Sequence, residues 1–197
     1  MTPLPRLVPS CRGVVLELGP GMGNQLELFD KGKITRVVGV ECNPNFIPEL
    51  QAQITSQNLD GVYDIVMAGV EDLPSDTLKK YGIHPESVDT VLSTGVLCSV
   101  PNPEKAMREM YGLLKPGGRF IFWEHHKSED WLTGIVQGKS TTCTRHDLGF
   151  SEIERNADEL IRPLEYPLET NGWRMQLEPR HQGDCATGWQ VGEFGES

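Results

Sequence analysis

The sequence has no apolar run approaching the roughly 20 residues that span a bilayer, and its opening stretch, Met1 to Arg12, is proline-rich without the apolar centre of a secretory signal. A soluble, cytoplasmic chain with no membrane anchor is expected. There is no block of basic residues. With 18 Lys and Arg against 28 Asp and Glu, the formal charge is −10. That argues against nucleic acid as the main partner, because phosphate neutralisation needs a basic surface. A small neutral or cationic substrate suits the balance better. There is no CxxC pair and no Cys/His ligand spacing: Cys11, Cys42, Cys98, Cys143 and Cys185 stand far apart, and His146 and His181 are isolated. Reduced thiols, with Cys98 as a core thiol, and no metal are expected. No repeat, low-complexity block or linker divides the 197 residues, so a single domain over 1–197 is expected.

What is present is alternation. Short β-rich runs are separated by helical stretches, the pattern of βαβ units around a parallel sheet. Val14–Leu18, Arg36–Val40, Tyr63–Ala68, Val88–Ser93 and Arg119–Trp123 read as five strands. Asn24–Lys31 reads as a short helix. A second helix follows Asn43, which can cap it, with Pro44 in its first turn and Phe46, Ile47, Leu50 and Ile54 at helical spacing. Asp76–Tyr81 reads as a small helix or irregular segment. Pro103–Leu114 gives the clearest helical pattern, with Ala106, Met107, Met110, Leu113 and Leu114 on one face, and Lys115-Pro116-Gly117-Gly118 stops it in a turn. Beyond His126, Ser151–Leu160 reads as helix and Trp173–Leu177 and Thr187–Phe194 as two final antiparallel strands. The expected fold is α/β: a Rossmann-like, doubly wound, mostly parallel sheet of about seven strands, with helices on both faces and an antiparallel C-terminal hairpin.

The most informative segment is Glu17-Leu18-Gly19-Pro20-Gly21-Met22-Gly23, between a strand and a helix. A cofactor lying across the carboxyl edge of a sheet needs room there, and glycines let the backbone turn tightly and approach it. Glu17 is an acid inside an apolar strand, immediately before the turn. Burying it is costly unless something pairs with it, and a cationic amino-acid ligand would do so directly or through water. Glu41 ends the second strand, where a carboxylate can accept both hydroxyls of a ribose. The spacing G-x-G-x-G, followed by Asn24 and Gln25, differs from the G-x-G-x-x-G of dinucleotide folds, and the acid suits an amino group rather than a phosphate.

On these residues, together with Val38–Asn45, Ala68–Pro74, Val88–Val100 and Leu113–His125, the chain resembles the class I S-adenosylmethionine-dependent methyltransferases. It resembles most the small-molecule branch with the ubiquinone/menaquinone-type enzymes. VECNPNF, VLCSV, LLKPGGRF and FWEH resemble the methyltransferase-like alkyl thiol methyltransferases. The resemblance covers about residues 13–126. It implies S-adenosylmethionine as cofactor, with S-adenosylhomocysteine as product. Gly19, Pro20, Gly21 and Gly23 would line the methionine part, with Glu17 beneath. Glu41 would hold the ribose, Cys42 and Asn43 would flank the adenosine, Val70 and Glu71 would sit at the adenine, and Thr94 would lie where cofactor and acceptor meet. Gly69 stands where many relatives place an Asp, which passes the adenine amino contact to Glu71 or to backbone. Relatives also carry one or two helices before the first strand, and the alkyl thiol enzymes a membrane anchor. About a dozen residues precede Val14 here, so the acceptor lid is expected to be short, missing or supplied by the acceptor-side region 127–197.

Methyl transfer is a displacement at an already activated sulfonium, so alignment of the acceptor supplies much of the catalysis. A base is needed only where the acceptor must lose a proton. Glu124 and His125, at the end of the fifth strand, are the candidates, and an imidazole titrates near neutrality. Trp131, Trp173 and Trp189 suit either an aromatic acceptor pocket or core packing. The expected activity is methyl transfer to an oxygen, nitrogen or sulfur of a small molecule. The resemblance leaves three matters open: a cofactor-binding subunit without transfer or dependent on a partner, a pericyclase-like use of the same fold, and a homodimer.

Overall fold

The computed structural model describes residues 4–70, 73, 75–125, 173–177 and 189–196. Its centre is a parallel sheet of β1 (Gly13–Leu18), β2 (Ile34–Glu41), β3 (Tyr63–Met67), β4 (Val88–Thr94) and β5 (Leu114–His125), ordered β3-β2-β1-β4-β5. β6 (Trp173–Leu177) and β7 (Trp189–Glu196) extend it, with β7 antiparallel to β5 and β6 antiparallel to β7. The strand order reverses between β1 and β4, the switch point at which ligands settle in open α/β sheets.

Residues on alternate positions of each strand enter different cores. Leu16, Val38, Val91, Phe120 and Phe122 pack with Ala106, Met107 and Met110 of α4 (Pro103–Leu113) and Leu78 of α3 (Ser75–Lys79). Val15, Val37, Leu92 and Ile121 pack with Leu50 and Ile54 of α2 (Ile47–Ser56), and with Leu7, Val8 and Cys11, from and just after α1 (Leu4–Leu7). Helices therefore cover both faces, as the alternating sequence pattern requires. At the opposite edge from the switch-point rim, Asp89 accepts from the Val14 amide at 2.8 Å and pairs with Lys115 at 2.8 Å, fixing β1, β4 and β5 in register.

Two sequence expectations are corrected. Asn24–Lys31 holds a single 3₁₀ turn, Leu26–Leu28, in place of a helix. Phe29 turns extended, and Asp30 accepts from the Gly32 amide at 3.0 Å and folds the chain back, so eight residues never repay helix nucleation. Secondly, Lys115–Gly118 lies inside β5, which begins at Leu114; the turn chemistry survives as a register irregularity between Val88 and Thr90. The helix expected at Ser151–Leu160 lies outside the described residues, as do residues 126–172 generally and Thr187, where the last strand was expected to start. Among the described residues no helix is long and apolar enough to cross a membrane, and no group of three or more His, Cys, Asp or Glu could hold a metal ion.

Candidate functional site

β1 ends at Leu18 and the chain turns sharply through the glycines. The Gly19 amide donates to the Val40 carbonyl at 2.8 Å, and the Gly23 amide closes back on the Pro20 carbonyl at 2.9 Å. Gly19 has φ +55° and Gly21 φ +57°, conformations costly for any residue with a β-carbon. The two positions differ in surroundings. A β-carbon on Gly19 would meet Val96 Cγ2 at 2.6 Å, whereas Gly21 has open space around it. The turn after β1 and the Thr94-Gly95-Val96 turn after β4 thus touch across the switch point. Gly19→Ala is expected to cost about 2–3 kcal/mol of stability through backbone strain and overlap with Val96. Gly21→Ala should cost about half of that, from strain alone. Denaturant titrations of both variants check the ranking.

Two carboxylates back this turn. Glu41, at the end of β2 and 5% exposed, accepts from the Gly21 amide through Oε2 at 2.9 Å and from the Asn43 amide through Oε1 at 2.8 Å. One side chain thereby ties the glycine turn to the start of the next loop. Asn43 goes on to accept from the Asn45 amide at 3.0 Å, which caps the helical entry as its sequence position implies. Glu17 is fully buried. The sequence left its pairing to a ligand; the structure supplies two partners from the protein. Tyr63 donates its hydroxyl to Oε2 at 2.6 Å, and Gln25 donates through Nε2 to Oε1 at 2.6 Å. Burial pushes the Glu17 carboxyl up to about 7, against the opposing pull of the two hydrogen bonds.

The structure brings Glu17, Gly19, Pro20, Gly21, Gly23, Glu41 and Asn43 together at one rim through the contacts above. Cys42 is exposed beside Glu41. Thr94 ends β4 and pairs with Trp123 of β5, so Glu124 and His125 continue β5 beyond Thr94 at the same end of the sheet. Val70 is buried in the core shared with α3 and α4. Glu71 lies outside the described residues. Sequence reasoning missed Tyr63 and Gln25 as partners of the acid. The signal was Gly39: a lone glycine inside a β-branched strand marks a close approach. A β-carbon there would sit 2.1 Å from the Tyr63 hydroxyl.

The Methyltransferase domain family matches residues 16–122, which takes in the glycine turn, Glu41 and most of β5. The chain is 35% identical over 121 residues to the thiol S-methyltransferase TMT1A of Homo sapiens, covering 61% of this chain and 46% of that protein. It is 31% identical over 118 residues to the ubiquinone/menaquinone biosynthesis C-methyltransferase UbiE of Hydrogenovibrio crunogenus, covering 58% of this chain and 42% of that protein. The chain thus spans less than half the length of these curated relatives. The fold is also similar to that of an O-methyltransferase family protein from Burkholderia thailandensis, with a TM-score of 0.69, 13% identity, and coverage of 98% of this chain and 54% of that one.

Proposed function

The chain belongs to the Methyltransferase domain family, and on that premise we propose that it transfers a methyl group from S-adenosylmethionine to a small-molecule acceptor, a thiol being the first to test. The observation that carries the proposal is the glycine turn backed by two carboxylates, one buried and one at the rim. That donor set fits this cofactor. A pyrophosphate at the turn would face Glu17 and Glu41, two acids, whereas an ammonium, a sulfonium and a ribose diol are drawn to them. The open space around Gly21 leaves the turn accessible.

When bound, S-adenosylmethionine supplies a methyl group on a sulfonium, and the acceptor displaces S-adenosylhomocysteine. The chain's residues do the holding. Glu17, Gly19, Pro20, Gly21 and Gly23 would take the methionine end, Glu41 the ribose, and Cys42, Asn43, Val70 and Glu71 the adenosine. Thr94 would border the methyl position. A thiol acceptor is a weak nucleophile until it is deprotonated, which gives His125 and Glu124 their role: His125 would accept the thiol proton and Glu124 would orient it or the acceptor. The likeness to thiol S-methyltransferases supports sulfur as the acceptor atom; the likeness to a quinone C-methyltransferase supports a small molecule of another kind.

The test is transfer of a labelled methyl group from S-adenosylmethionine to simple alkyl thiols and to a metabolite extract. A labelled small product is expected. Binding of the cofactor with no transfer to any acceptor would sink the enzyme reading in favour of a binding subunit. His125→Ala is expected to lower turnover by about a hundredfold while leaving S-adenosylhomocysteine affinity unchanged. Undiminished turnover would retire His125 as the base.

A further inference from the structure

Three elements converge on Glu17. Tyr63 opens β3, two strands away from β1. Tyr63, Gly39 and Glu17 stand on one face of the sheet, because Tyr63 pairs with Val37 and Gly39 pairs with Glu17. The tyrosine ring therefore passes over β2 at the single position without a side chain, and its hydroxyl reaches Glu17 Oε2 at 2.6 Å. From the other side comes Gln25. Its amide nitrogen lies 2.6 Å from Glu17 Oε1 and 3.5 Å from the Pro20 carbonyl, inside the glycine turn.

The partners of the acid are thus two neutral donors and no cation among the described residues. A fully buried carboxylate held in this way weakens the free protein, since its burial is only partly offset. The Tyr63 phenol is itself raised well above its usual range, first by burial and then by the charge of Glu17, its bond to Glu17 and the charge of Glu41. It therefore remains a donor at any working pH. Among the described residues, the titratable groups around Glu17 are Tyr63 from β3 and, facing Tyr63, Glu41 from the end of β2; Gln25, from the turn, carries no charge.

Resting on the reading that this rim takes S-adenosylmethionine, we propose that Tyr63 and Gln25 are positioning residues, whose two donors fix the Glu17 carboxylate beneath the glycine turn as the counter-charge for the cofactor's α-ammonium. Each donor stabilises the charged form of the acid and sets its orientation. Gln25 has a second effect, because the amide that grips Glu17 also reaches the Pro20 carbonyl and links the acid to the shape of the turn.

The experiment is calorimetric titration of the full chain with S-adenosylhomocysteine, from about pH 6 to about pH 9, on the unmodified protein, Tyr63→Phe and Gln25→Leu. For the unmodified protein, affinity should rise with pH as Glu17 ionises. In each variant one donor is lost, so the rise should move to higher pH. The loss should be roughly tenfold at neutral pH and should narrow at the alkaline end. In a Glu17→Gln background, adding Tyr63→Phe should leave the pH profile where it was. Variants matching the unmodified protein at every pH would overturn the proposal, and so would a loss of the same size at every pH, which marks a merely structural role. Should Tyr63→Phe fail to fold, Gln25→Leu at the turn carries the same comparison. Failure of the unmodified protein to bind S-adenosylhomocysteine would instead remove the functional reading itself, a distinguishable result.

Discussion

Glu41→Ala is expected to weaken S-adenosylhomocysteine binding about a hundredfold, the largest effect of any single change at the rim. The carboxylate already accepts the Gly21 and Asn43 amides, one on each oxygen, at 2.9 and 2.8 Å. Each oxygen keeps a further lone pair, which is what two vicinal ribose hydroxyls require. A hydrogen bond to a charged group contributes about 1.5–3 kcal/mol, so loss of two of them reaches the hundredfold level. Truncation also releases the Gly21 amide, and the turn loses its tie to β2. Calorimetry with the alanine and glutamine variants separates the contributions. Glu41→Gln keeps one acceptor oxygen and should fall between the unmodified protein and Glu41→Ala. Unchanged affinity in Glu41→Ala would remove the ribose assignment.

Glu17→Gln should have two opposite effects. Burial raises the folded-state carboxyl from 4.5 to about 7. For an acid raised in this way, the folded protein holds its proton longer than the unfolded chain does. The stability this confers is fully present below the unfolded value of 4.5 and is lost as pH rises through about 7. The difference corresponds to about 3 kcal/mol above that range. A neutral isostere escapes the penalty. Ligand-free Glu17→Gln should therefore melt roughly 6–12 °C higher than the unmodified protein at alkaline pH, with no gain at acid pH. S-Adenosylhomocysteine should bind it more weakly, because the α-ammonium has lost its counter-charge. Paired melts across the pH range check the sign; a gain of equal size at every pH would show that ionisation of Glu17 is not its cause.

The parts of this molecule that sequence conveys are those governed by periodicity and by local backbone chemistry. The β-branched runs at Val14–Leu18 and Val88–Ser93 could be placed because a strand covered on both faces carries apolar residues at adjacent positions, as Val14-Val15-Leu16 and Val91-Leu92 do. β1 and β4 duly lie inside the sheet. The glycine turn was legible because few other sequences permit positive φ at three alternate positions, here 19, 21 and 23, between a strand and a helical turn. Asn24–Lys31 was not, since the competing turn at Asp30 is a side-chain effect that hydrophobic spacing does not register. The supports of Glu17 were hidden for another reason. Tyr63 is 46 residues away in the chain and becomes its neighbour only after β2 and β3 have paired. Only Gly39 left a local trace.

Gly39 and Tyr63 have a consequence for how this sequence can change. Any β-carbon at position 39 runs into the tyrosine hydroxyl at 2.1 Å, so a side chain acquired there first would eject the ring from its place. A smaller residue acquired first at 63 would open the space, and position 39 could then accept alanine at little further loss. Drift at this pair is thus expected to be ordered, with 63 changing before 39, and reversion from the double variant is open only by the reverse route. Variant libraries built on both positions should show this as a large loss for any side chain at 39 beside Tyr63 that shrinks sharply once 63 carries a smaller residue.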